Sequence, residues 1–259
     1  MATVCRVWQT GDLAKCVKWL DVGDAPQITM DDTFINRFVN LQSIKAHSTN
    51  VTSAGLRKLV NLRHLDLSGH EKIYDTGIIW MTNLSSLVLF RSRVTDMGLS
   101  RLTNLTSLSL DRSYSYVTDK GLLPLTNLTH LTLQNRYENE PMSNILTSRG
   151  MPYLKSLSLV NDTIVLHSDI MFLAPVLETL NLRGNRRLTD RSIKELTNLT
   201  SLCLCDDYCV TDNALIGLTN LRSLAMYGHS RIDGRIFKHR KYERLVISED
   251  NTTCYSLFT

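Results

Sequence analysis

The stretch Arg101–Leu133, "RLTNLTSLSLDRSYSYVTDKGLLPLTNLTHLTL", decides the fold. It contains the phrase L-T-N-L-T twice, 23 residues apart, with V-T-D-K-G-L between the copies. The L-x-L that follows each copy alternates with period two and predicts a short strand with one buried face. The "TD" before an apolar pair predicts a helix start, with the Thr or Asp oxygen capping free N–H groups of the first turn. Leu99 and Leu102, or Leu122 and Leu125, then sit three apart on one inward helix face. The "TN" after them predicts the helix exit, through the left-handed conformation that Asn tolerates. One copy therefore reads strand, loop, short helix, turn.

The same phrases run outward in both directions. L-x-x-L-x-L begins at Leu62, Leu84, Leu105, Leu128, Leu154, Leu177 and Leu199, with weaker versions at Val17, Leu41 and Leu221, and the spacings lie between 21 and 26 residues. "VTDMGL" at Val94 and "VTDKGL" at Val117 recur as "LTDRSI" at Leu188 and "VTDNAL" at Val210, with variants at Val51 and Ile73. A unit this small cannot bury its apolar face alone, but stacked copies can. The expected fold is α/β: a curved right-handed solenoid with one parallel sheet on its concave face and short helices on its convex face. About ten repeats are expected over 17–242, between an N-terminal cap (1–16) and a C-terminal strand and cap (243–259) in which "RLVIS" is the strand.

The period and the L-x-x-L-x-L phrase resemble leucine-rich repeats. "VTDxGL" is most similar to the cysteine-containing subclass known from F-box proteins, although the Asn or Cys usual after the strand varies here: His70, Ser92, Ser113, Arg136, Asp162, Asn185, Asp207. The N-terminus adds to this. Val4, Cys5 and Trp8 resemble the V-C-x-x-W that ends an F-box module, and Trp19, Leu20 and Val22 resemble the phrase leading into the first repeat. That resemblance implies docking onto the adaptor of a cullin-type ubiquitin ligase. On physical grounds alone, Val4, Trp8 and Trp19 are expected to cover the open apolar end of the stack.

Composition narrows the function. The net charge of +4 on 259 residues, without a long basic stripe, does not point to nucleic acid. The longest apolar stretch, Ile170–Val176, is far shorter than the roughly 20 residues of a membrane-spanning helix. The first residues lack an apolar run of signal-peptide length. The expectation is an intracellular protein, of cytoplasm or nucleus, with six reduced cysteines. The sequons at Asn83, Asn104, Asn127 and Asn198 then read as by-products of the repeat. No phosphate-binding glycine loop, H-E-x-x-H, G-x-S-x-G or kinase signature occurs, so no catalytic residue and no cofactor are expected. Cys203, Cys205 and Cys209 lie close together, with Asp207 or His229 as an available fourth ligand, but their spacing matches no zinc pattern, and no metal is expected.

What the repeat does not dictate carries the function. In a stack, equivalent positions form columns, and those between and after the strand leucines face the sheet surface. These columns hold Phe90 beside Arg91, Asp111 beside Arg112, Gln134 and Arg183, while the longer loops "RSYSY" and "RYENEPMSN" add Tyr114, Tyr116 and Tyr137. Aromatic and Arg side chains anchor protein interfaces. These nine residues are the expected partner-binding patch of a non-enzymatic scaffold.

Overall fold

The computed structural model describes residues 11–21, 30–45, 49–111, 116–134, 151–161, 167–206, 209–227, 231–232 and 244–248. The chain divides into two compact units, Met1–Asn127 and Leu128–Thr259. In the first, β1 (Trp19–Asp21), β2 (Ser43–Lys45), β3 (His64–Asp66), β4 (Ser86–Leu89) and β5 (Ser107–Asp111) pair in chain order, all parallel. In the second, β6 (His130–Gln134), β7 (Ser156–Val160), β8 (Thr179–Asn181), β9 (Ser201–Cys203), β10 (Ser223–Tyr227) and β11 (Arg244–Ser248) do the same. Helices of four to six residues separate most of these strands. Both units are leucine-rich-repeat solenoids.

The register aligns like with like. Leu20, Ile44, Leu65, Leu87 and Leu108 are Cα partners across the first unit, and Leu131, Leu157, Leu180, Leu202 and Leu224 across the second. All are buried. Burying each such side chain contributes about 1.5–3 kcal/mol. That driving force fixes the register, because a one-residue slip would turn every leucine to the surface.

"VTDxGL" divides its labour in a way the sequence expectation only half describes. Thr52, Thr95 and Thr211 are the N-caps, each accepting from the backbone N–H two residues on. The Asp does not cap its own helix. Its carboxylate reaches the next repeat and accepts from both the N–H and the Oγ1–H of that repeat's Thr. Asp75 holds Thr95 at 2.8 and 2.6 Å, Asp96 holds Thr118 at 2.6 and 2.6 Å, and Asp190 holds Thr211 at 2.6 and 2.5 Å. Asp32 holds Thr52 in the same manner. The motif's Gly follows from this ladder, since a Cβ at Gly98 would run into the Asp75 carboxylate.

The "TN" expectation is corrected. Among the described residues, left-handed non-glycine backbone occurs at Arg91, Asn161 and Asp206, and at none of the "TN" asparagines. Their side-chain amides instead donate to a carbonyl of the preceding repeat: Asn83 to Val60, Asn104 to Thr82, Asn127 to Thr103, Asn198 to Pro175 and Asn220 to Thr197, and Asn61, which follows Val60, does the same to Val39. Carbonyls at the helix ends have no intrahelical partner, so this ladder satisfies them while tying repeat to repeat. It also accounts structurally for the Asn in the sequon-like phrases.

Candidate partner-binding surface

The turn leaving each strand sets the geometry of this surface. Gly69 (φ 83°), Arg91 (φ 58°), Asn161 (φ 54°), Gly184 (φ 68°) and Asp206 (φ 57°) all occupy this place with left-handed backbone. Gly, Asn and Asp suit that conformation, and Arg does not. A non-glycine side chain there costs on the order of 1 kcal/mol. Arg91 is nonetheless the residue at the end of β4, and it is exposed.

The chain then runs along a flank toward the helix start, and a second irregularity lies there. Tyr74 stands where neighbouring repeats place the capping Thr, and it makes no side-chain cap bond. Ser53 accepts from its N–H at 2.9 Å in place of the usual Asp. The Tyr74 ring is 46% exposed and carries the Arg93 guanidinium 5.9 Å from its centroid. Backbone bridges join Tyr74 to Arg93 and Thr95 to Tyr116, and Tyr116 is 65% exposed. Met97, also exposed, follows Thr95 by two residues. The first unit thus presents Tyr, Arg and Tyr from three successive repeats on paired backbone.

The expected patch residues are divided between the two units. Phe90 is half-buried at the end of β4, and its carbonyl accepts from the Gly69 N–H at 2.8 Å. Gln134 is half-buried and pairs with Val160. Asp111 is a correction: it is 2% exposed at the end of β5 and presents no side chain to a partner. Arg183 is also held inward, its side chain 11% exposed with Nε 3.9 Å from Asp206 Oδ2. Arg112, Tyr114 and Tyr137 lie outside the described residues, as do Val4, Cys5 and Trp8. Trp19, expected to cover the end of the stack, is 78% exposed. Tyr74 and Arg93 were missed. "IYDTGI", the one copy of the motif with Tyr in the Thr place, was the available signal.

The expectation of six reduced cysteines is corrected. Cys203 and Cys205 do not face solvent; both are fully buried, Sγ to Sγ 3.3 Å. Cys205 is disulfide-bonded, against the expectation of six thiols. Burial pushes the Cys203 thiol up from its ordinary 9.0 to about 11, while a hydrogen bond from the Cys205 backbone N–H and the Arg183 charge pull it the other way. Cys209 turns to the Arg186 carbonyl at 3.1 Å. Among the described residues no three His, Cys, Asp or Glu side chains converge as metal ligands. No helix among them is long and apolar enough to cross a membrane.

Among solved structures, the chain is similar to TLR13 in its complex with ssRNA13, with 24% identity and a TM-score of 0.63. The match covers 93% of this chain and only 38% of that one, so this chain spans well under half the length of that relative. Two Listeria monocytogenes internalins are also similar. InlF has 19% identity and a TM-score of 0.42 over 84% and 83% of the two chains, and InlC2 has 22% and 0.44 over 77% of each. The TLR13 likeness is one of fold. No protein-family model and no curated protein matches the chain.

Proposed function

We propose that this protein is a non-enzymatic scaffold that binds a partner protein through the exposed flank of its first unit. Tyr74, Arg93 and Tyr116 form the centre, with Phe90 and Arg91 beside them. One observation carries the reading: the repeat gives up local stability twice in this one place. Tyr74 replaces a capping Thr, a loss of about 1 kcal/mol, and Arg91 replaces a glycine at positive φ. Both concessions put an interface-type side chain on the surface. Stability surrendered locally at several neighbouring positions is the mark of a site kept for binding. The two guanidinium groups favour a partner that presents carboxylates.

The test restores the repeat. Tyr74→Thr with Arg91→Gly should raise the urea midpoint. In affinity capture from the protein's own cells, the same double substitution should lose the partner that the unaltered chain retains. Retention of that partner at undiminished yield overturns the proposal. Nuclease treatment of the lysate is included, because a partner released by it is RNA and not protein. The same capture examines the F-box resemblance of Val4, Cys5 and Trp8, for which no feature of the described residues speaks: recovery of a cullin adaptor would support it.

A further inference from the structure

The opposite flank of the first unit, where chains enter the strands, holds a hollow of about 420 Å³. That lies within the roughly 300–1,000 Å³ range of small-molecule sites. Among the described residues its lining includes three cations, Lys15, Lys18 and Arg63, the amide residues Asn40, Gln42 and Asn61, and no carboxylate. Polar groups make up most of the lining, which favours a polar ligand. The floor is fixed by the repeat itself. The Asn40 amide donates to the Lys15 carbonyl at 2.8 Å and the Asn61 amide to the Val39 carbonyl at 3.3 Å. The Gln42 N–H donates to the Lys18 carbonyl at 2.7 Å and the Arg63 N–H to the Gln42 carbonyl at 2.8 Å.

Lys18, Gln42 and Arg63 are successive members of one column, the residue just before each strand. Parallel strands lie about 4.8 Å apart, so the Lys18 and Arg63 backbones stand roughly 10 Å apart. Their long side chains flank a central amide at a separation suited to a ligand with more than one anionic group. The equivalent column of the second unit behaves differently: Lys155 pairs with Glu178 at 2.8 Å and neutralises itself. In the first unit Asp32, Asp75 and Asp96 are committed to the Thr ladder at the helix starts, and Asp21 lies 3.9 Å from Lys45. Lys18 and Arg63 share their column with Gln42, Ser85 and Thr106, none of them acidic.

We propose that this hollow binds a small free polyphosphate, a molecule carrying two or more phosphate groups, with Lys18 and Arg63 as its principal contacts. Guanidinium and ammonium groups take phosphate oxygens with charge-assisted bonds, and the fixed amides add neutral donors. The site is separate from the Tyr74–Arg93 row and does not depend on that row binding anything.

The probe is tripolyphosphate, titrated calorimetrically into the whole chain at about 0.15 M ionic strength, where exposed single charges are largely screened. The expected result is saturable binding of one equivalent. Arg63→Gln should weaken it about tenfold or more, as should Lys18→Gln, with the urea midpoint unchanged because both side chains are exposed. Inorganic phosphate should bind at least about tenfold more weakly. Arg93→Gln, on the other flank, should leave the affinity as it was. Cys16, whose exposed thiol also lines the hollow, supplies a positional readout: bound tripolyphosphate should slow its alkylation by iodoacetate. Absence of saturable binding overturns the proposal. So does equal weakening by Arg93→Gln, which would mark a diffuse charge effect, or binding that leaves Cys16 alkylation unchanged, which would place the anion elsewhere.

Discussion

The two units are built on one frame and differ where the frame leaves residues undecided. Before the strands, the first unit has Lys18, Gln42, Arg63, Ser85 and Thr106, while the second has Thr129, Lys155, Glu178, Thr200 and Arg222. The former leaves two cations without an acid in the column, and the latter contains its own ion pair. On the strand face the contrast runs the same way. The outward positions Lys45, Asp66, Val88 and Ser109 of the first unit are exposed or half-exposed; in the second, Thr132 and Ser158 are half-exposed too, and Asn181, Cys203 and Ala225 are buried. Leucines, the Asp–Thr ladder and the Asn ladder are common to both. The difference teaches that the repeat determines stability in both units, and that the accessible, chemically unusual side chains concentrate in the first.

The shared frame is tested most severely by breaking the ladder in each unit. Asp75→Ala strips two acceptors from Thr95, and Asp190→Ala does the same to Thr211. Each should lower stability by about 2–3 kcal/mol, as expected for charge-assisted bonds whose partners are left unpaired. Asp75, nearly buried, should cost the more. Urea denaturation reads both, and a cost in one unit alone would show that the ladder is not a common device.

The buried Cys203 on β9 gives the second unit a pH signature. The Cys203 thiol loses its proton near 9.0 in the unfolded chain and near about 11 in the folded one. Burial therefore holds the folded proton more tightly. Its contribution to stability is fully present below pH 9 and is lost as pH rises from 9 to 11, by up to about 3 kcal/mol. The fall in urea midpoint between pH 8 and about 10.5 should shrink in Cys203→Ala relative to the parent. An unchanged fall would mean that other groups set the alkaline limit.

The smallest effect sharpens the comparison. Asn104→Ala and Asn198→Ala each remove one amide bond to the preceding repeat, at 2.8 and 2.9 Å. Each should cost about 1 kcal/mol. Thermal unfolding of the two variants should show matching shifts, since the Asn ladder is common to both units.

Much of this was readable from the chain. L-x-L alternation located the strands, even the weak copies at Val17 and Leu41, because a buried leucine column tolerates few alternatives. Thr as N-cap was readable because capping is local. The destination of the Asp carboxylate was not, since its partner is the Thr of the next repeat, about 20 residues away. The Asn amides were misread for the same reason. Of the proposed surface, Phe90, Arg91 and Tyr116 were readable as departures from the repeat. Asp111 and Arg183 were departures too, but a column position says which way a backbone points and not whether neighbours close over it. Tyr74 and Arg93 escaped because they lie on the flank and not in the strand columns.

The sequence by itself determined the repeat, its period and the leucine core, because those depend on periodic burial that any stacked copy must satisfy. Only the tertiary structure decided which polar residues link one repeat to the next, which cysteines are sealed from solvent, where cations gather in one column, and which tyrosines stay exposed. Those outcomes depend on distances between residues from different repeats, and linear spacing does not contain them.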